Sequence, residues 1–123
     1  MDKKKLFKVA VASTDGKEVD SHFGKATLFY IYENHPEDNS WKLTEQRKVA
    51  PVCDGGNHDD TRLQEQVENF SDCKYILVSK IGWSAENALE EEDIHSLELP
   101  GTITEALDKL IKYEKLQQLI QQR

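Results

Sequence analysis

Two side chains with metal-binding chemistry, Cys53 and His58, sit in the segment Pro51-Val52-Cys53-Asp54-Gly55-Gly56-Asn57-His58-Asp59-Asp60. A thiolate and an imidazole are donors for transition metals and iron–sulfur species. Gly55 and Gly56 between them let the backbone come close to whatever binds. The plainer alternative is an exposed thiol beside a helix-capping segment, with Asp59 and Asp60 as carboxylates favoured at a helix start. His22-Phe23-Gly24 is a second candidate, an aromatic turn from which an imidazole projects into a cleft or bonds to nearby backbone. A structural zinc needs four ligands from tight Cys/His pairs. The remaining donors His35, Cys73 and His95 are scattered, which argues against zinc. Two cysteines cannot supply three thiolates to a cluster.

Lys80-Ile81-Gly82-Trp83-Ser84 runs from an apolar segment into a helix start, where free N–H groups attract anions. It lacks P-loop spacing and also reads as an ordinary strand–helix connection. No G-x-S-x-G, H-E-x-x-H or G-x-G-x-x-G pattern occurs, so a binding function is expected ahead of catalysis. Cys73, just before an apolar run, is expected to be buried as a small apolar residue. His35 and His95 are expected at the surface.

The elements that must position these groups follow from periodicity. The 123 residues make one expected domain, residues 1–123, with 37% hydrophobic and 32% charged content. A net charge of −7 speaks against nonspecific nucleic-acid binding. No apolar stretch reaches membrane-spanning length and no signal-peptide core follows Met1, so a cytoplasmic location is expected. Leu6 to Ala12, Thr27 to Glu33 and Trp41 to Val49 read as strands, the last two as a hairpin around a polar connector at 35–40. Leu63, Val67 and Phe70 mark one face of a helix starting near Asp60 or Thr61. Tyr75 to Val78 is a strand buried on both faces. A helix from about Ser84 to Glu92, a short strand from Ile94 to Leu99 and a helix opened by the Thr102–Glu105 capping box complete the chain. That last helix buries Ile103, Leu107, Leu110 and Ile111, and its Gln-rich end is expected to fray. The order β-β-β-α-β-α-β-α predicts an α/β fold with a mixed five-stranded sheet. Ligands in such sheets sit past the carboxyl ends of strands, which points to the loops at 13–25 and 80–83.

Several of these segments together resemble one family. Lys8 to Ser13, Asp15-Gly16, Val19, His22 to Ala26, the Pro51 to Gly56 loop, Phe70 to Cys73, Ile81-Gly82 and Ile103 to Leu107 are similar to the dinitrogenase iron–molybdenum cofactor biosynthesis family. Its members include NifX, NafY and the C-terminal domain of NifB. The resemblance implies a ribonuclease H-like α/β/α fold and a stand-alone, non-catalytic carrier of an iron–sulfur cluster or iron–molybdenum cofactor precursor. It makes His22 the leading contact, with Cys53 and His58 as supporting ligands across a cleft. Ser13, Phe23, Gly24, Gly55 and Gly56 would shape that pocket. The implied partner is a cofactor-biosynthesis or acceptor protein. Such cargo is anionic, so Lys25, Arg62 or Lys80 would have to reverse the field of an acidic chain locally. The competing expectation is a metal-free interaction or regulatory domain of the same fold.

Overall fold

The computed structural model describes residues 6–54, 57–58 and 60–121, with backbone alone at 53, 54, 57, 58, 60 and 121. Strand β1 (Phe7–Ala12) alternates small and branched apolar residues, and Val9 through Ala12 are fully buried. Such a strand belongs inside a sheet covered on both faces. It pairs antiparallel with β3 (Leu28–His35), from Phe7 opposite Asn34 to Ala12 opposite Phe29. On its other side it pairs parallel with β7 (Tyr75–Val78), Val9 opposite Tyr75. Adding β4 (Ser40–Lys48) and β8 (His95–Glu98) gives a mixed five-stranded sheet in the order β4-β3-β1-β7-β8.

Period-two alternation divides the core between the two faces. Ala10, Ala12, Phe29, Ile31, Ile76 and Val78 face α1 (Asp60–Asn69) and α2 (Trp83–Glu91), packing on Val67, Phe70 and Leu89. Val9, Val11, Tyr75 and Leu77 face α3 (Ile103–Gln121), packing on Ile103, Ala106, Leu107 and Leu110. Fully burying each of the larger side chains stabilises the fold by about 1.5–3 kcal/mol. Thr102 opens α3 as the capping box predicts: its Oγ1 accepts from the Glu105 amide at 3.1 Å and donates to Glu105 Oε1 at 2.9 Å.

Several boundaries differ from expectation. The second strand extends to His35, because the connector tightens into a turn in which Asn39 takes a φ of 57°. The Asp38 carboxylate accepts the Ser40 amide there at 3.0 Å. The register of β3 on β4 slips between Ile31 and Tyr32, leaving Thr44 bulged, and the Thr44 hydroxyl donates to the Ile31 carbonyl at 3.1 Å. The last helix, α3, runs through Gln121, as its Lys, Leu and Gln content favours. Ile111 is only half-buried.

Two short ribbons were not foreseen. β2 (Glu18–Val19) pairs with β9 (Gly101–Thr102), and β5 (Cys53–Asp54) pairs with β6 (Asn57–His58). Among the described residues no helix is long and apolar enough to cross a membrane.

Candidate functional site

β1 and β7 run parallel and end side by side, but the chain leaves β1 toward β3 and leaves β7 toward β8. A cleft opens where such connections diverge. The two loops there are stitched together like an extra rung of sheet. Ser79 donates its amide to the Ser21 carbonyl at 3.0 Å, and Phe23 donates to the Lys80 carbonyl at 2.9 Å. His22 thereby forms a parallel bridge with Lys80. The chain then turns back, with the Lys25 and Ala26 amides both donating to the His22 carbonyl at 3.2 and 3.0 Å.

This turn sorts the side chains. Phe23 is fully buried in the core, its ring centroid 6.4 Å from that of Phe29, while His22 stays exposed at the cleft. Phe23 is the anchor that holds His22 in place. The segment ahead of the turn is fixed by two aspartates, Asp15, part of the Asp15-Gly16 segment named in the resemblance, and Asp20, which the sequence reading did not single out. Asp15 Oδ1 accepts the amides of Lys17 (2.8 Å) and Glu18 (3.1 Å) and the Ser13 hydroxyl (3.2 Å). Those backbone donors, Lys17 foremost, hold the Asp15 carboxyl below its usual value. Asp20 accepts the Thr14 amide at 2.9 Å and hydroxyl at 2.5 Å. Partial burial opposes ionisation of Asp20, but the Thr14 and Ser21 donors outweigh it and its pKa is lowered. Gly16 lies between, at φ 76°, where a Cβ would come within 2.9 Å of the Tyr30 ring. Ser13 is fully buried and spends its hydroxyl on this turn, accepting the Gly16 amide at 2.9 Å. It supports the loop and does not line the cleft.

The cleft holds about 320 Å³. His22, Gly24 and Lys25 form one wall, and Lys80 to Ala85 form the other. Val52 and Leu63 contribute apolar surface between them. His22, Lys25 and Lys80 are the ionisable side chains among the described lining residues, which include no aspartate or glutamate. On a chain of net charge −7 this is a place where the local field favours an anion.

The second wall carries the start of α2. Gly82 is its N-cap, extended at φ −77° and ψ 159°, with no side chain capping the helix. The first-turn amides of a helix have no intrahelical acceptor and carry partial positive charge. The Ile81 amide, by contrast, is taken by Glu98 Oε2 at 2.9 Å. Trp83 stands at the rim, 77% exposed, a residue whose exposure no sequence pattern signalled.

The cysteine–histidine segment enters from the Val52 side. Val52 is buried in the cleft wall and β5 follows it directly. In the β5–β6 ribbon the register sets Cys53 opposite His58 and Asp54 opposite Asn57. Cys53 and His58 are therefore register partners on two antiparallel strands. Gly55 and Gly56, expected to shape the pocket, lie outside the described residues.

The other donors are elsewhere. Cys73 is 4% exposed, buried as the sequence leads one to expect, and that burial pushes its thiol up to about 12. His35 lies 3.1 Å from Glu33 and His95 lies 3.2 Å from Glu90, each in a pair at the partly exposed surface. Among the described residues no three His, Cys, Asp or Glu side chains converge on one point. The cleft thus offers one imidazole, two ammonium groups and a helix start, the makings of a site that grips an anion chiefly from outside.

Known proteins share this framework. The family model described as dinitrogenase iron-molybdenum cofactor matches residues 5–113, which includes both cleft loops. The chain belongs to that family. A FeMo cofactor biosynthesis protein NifB of Frankia alni is 37% identical over 106 residues, 83% of this chain but 20% of NifB. Protein NifX of Herbaspirillum seropedicae is 29% identical over 110 residues, covering 88% of this chain and 73% of NifX. The chain thus spans about a fifth of the length of that NifB relative. An NMR structure of a putative NifB protein from Thermotoga superposes with a TM-score of 0.55 at 20% identity, covering 86% of this chain and 88% of that one. That likeness shows a shared fold.

Proposed function

We propose that the chain is a non-catalytic carrier in nitrogenase cofactor biosynthesis. It holds an anionic iron–sulfur or iron–molybdenum cofactor precursor in the His22–Lys80 cleft and releases it to a cofactor-biosynthesis or acceptor protein. The observation that carries this reading is the gathering of Lys25 and Lys80 beside the exposed His22 imidazole, in a cleft whose described lining residues include no carboxylate. Membership of the cofactor family and the name of the NifB relative support the cargo class. The three-layer arrangement supports a ribonuclease H-like fold, and a cytoplasmic location accords with an oxygen-sensitive cargo.

The donor set fits a cargo that must leave. His22 supplies one inner contact through its ring nitrogen. Lys25, Lys80 and the first amides of α2 supply charge-assisted hydrogen bonds to the anionic periphery. Cys53 and His58, paired across the ribbon that follows Val52, are the proposed second donors. Few inner ligands make exchange easy, whereas a closed cysteine cage would retain the cluster.

Anaerobic titration of the protein with a cluster donor tests the reading. Charge-transfer absorbance is expected to saturate with wild type and to fall at least tenfold in apparent affinity in His22→Ala, a loss of about 1.4 kcal/mol or more. No saturable absorbance with wild type would overturn it.

A metal-free interaction domain is the second reading, favoured by Trp83 standing 77% exposed on the rim. A stoichiometric partner that stays bound to metal-stripped protein, and is lost in Trp83→Ala, would support that reading instead.

A further inference from the structure

The cleft wall at 80–82 is held from two sides. Toward the histidine turn, the Ser79 amide donates to the Ser21 carbonyl and the Lys80 carbonyl accepts the Phe23 amide. On the other side the tie is a side chain. Glu98, the last residue of β8, accepts the Ile81 amide at its Oε2, 2.9 Å away. Parallel pairing sets Glu98 opposite Val78 at the end of β7, and the Leu99 amide donates to the Val78 carbonyl at 3.0 Å. The backbone of Glu98 is therefore part of the sheet, and its carboxylate extends that anchorage to the residue between Lys80 and Gly82.

The same carboxylate has an electrostatic consequence. Ile81 lines the cleft, and Gly82, the next residue, is the N-cap of α2. Glu98 is exposed, is not among the described lining residues, and forms no ion pair among the described residues. Its charge stands beside a wall whose lining ammonium groups are those of Lys25 and Lys80. A negative charge there interacts favourably with the start of a helix and opposes an anion that settles at the same place. An acid at this position strengthens the wall and weakens what the wall holds.

We infer that Glu98 is a positioning residue that sets how firmly the cleft holds its anion. Through the Ile81 amide it keeps the wall in place, and through its charge it lowers the affinity, so that cargo can leave. This rests on the cleft being the anion site proposed above. The two effects are separable, because glutamine keeps an acceptor oxygen and loses the charge, whereas alanine loses both.

Backbone amides of nitrogen-15-labelled protein report both effects. Without any added anion, exchange of the Ile81 amide hydrogen is expected to be about fivefold faster in Glu98→Ala than in wild type, as the loss of one ordinary hydrogen bond allows. Glu98→Gln should restore slow exchange, and Ile76 in the core strand should exchange alike in all three. Equal Ile81 exchange in wild type and Glu98→Ala would overturn the brace. Titration with sodium sulfate at constant ionic strength, followed by the Gly82 and Trp83 amide resonances, tests the charge. Glu98→Gln is expected to bind sulfate about threefold tighter than wild type at low ionic strength, with the gain fading in high salt. It should also bind tighter than Glu98→Ala, which has the same charge and no brace. Sulfate affinity unchanged by Glu98→Gln, or a gain that salt does not reduce, would overturn the inference and leave the carrier reading standing. No saturable shift with wild type would instead remove the anion site on which both rest.

Discussion

His22 and Phe23 are adjacent and do opposite things, and that contrast organises the site. The buried ring of Phe23 fixes the backbone, and the fixed backbone leaves the His22 imidazole facing the cleft. Lys80 and Lys25 are then near enough to line the same space. Their contribution to holding an anion is electrostatic and partly exposed, hence screened by salt. Lys80→Ala is expected to weaken cluster binding several-fold at low ionic strength and by much less in high salt. Titrations at two salt concentrations check this. His22→Ala should lose affinity at both, since a coordinating nitrogen is not screened. The histidine turn and the lysines were legible in the sequence because an aromatic–glycine break and a strand-to-helix passage are local signals. Asp15-Gly16 was legible as a segment, but the locking roles of Asp15 and Asp20 were not, because a loop carboxylate bonding to backbone amides has no periodicity to betray it.

Elements are tied to one another by a few charged side chains at the far edge of the sheet. Arg47 on β4 reaches the turn between α1 and β7. It donates to the Asn69 carbonyl at 2.6 Å and to both Asp72 oxygens at 3.0 and 3.1 Å. Its guanidinium also lies 5.5 Å from the centroid of the buried Phe70 ring. Hydrogen bonds from Arg47 are the chief reason the Asp72 carboxyl falls from 3.8 to about 2. A carboxylate whose pKa is lowered by folding stabilises the native state at pH above 3.8, and that stabilisation is lost as pH falls through about 2. Arg47→Ala is therefore expected to flatten the decline of Tm over this acid interval, as thermal melts at several pH values would show. The long elements were readable because each carries its own apolar pattern. The β2–β9 and β5–β6 ribbons were not. Each strand in them is two residues long, and it exists only because the tertiary fold brings its partner alongside. The Cys53–His58 spacing accordingly reads as a loop in sequence and as a paired ribbon in structure.

At the scale of the whole molecule, the β1 and β7 carboxyl ends of the sheet carry a small positive cleft on an otherwise acidic chain. The fold supplies rigidity through two apolar layers and lines the cleft with loops fixed by backbone hydrogen bonds, as the proposed carrier role requires. The central claim is that His22 touches the cargo directly. Pulsed electron paramagnetic resonance on anaerobically loaded, paramagnetic protein with nitrogen-15-labelled histidine measures that contact. A nitrogen hyperfine coupling from a coordinated imidazole, present in wild type and absent in His22→Ala loaded to the same iron content, is the predicted result. A spectrum unchanged by His22→Ala would contradict the account.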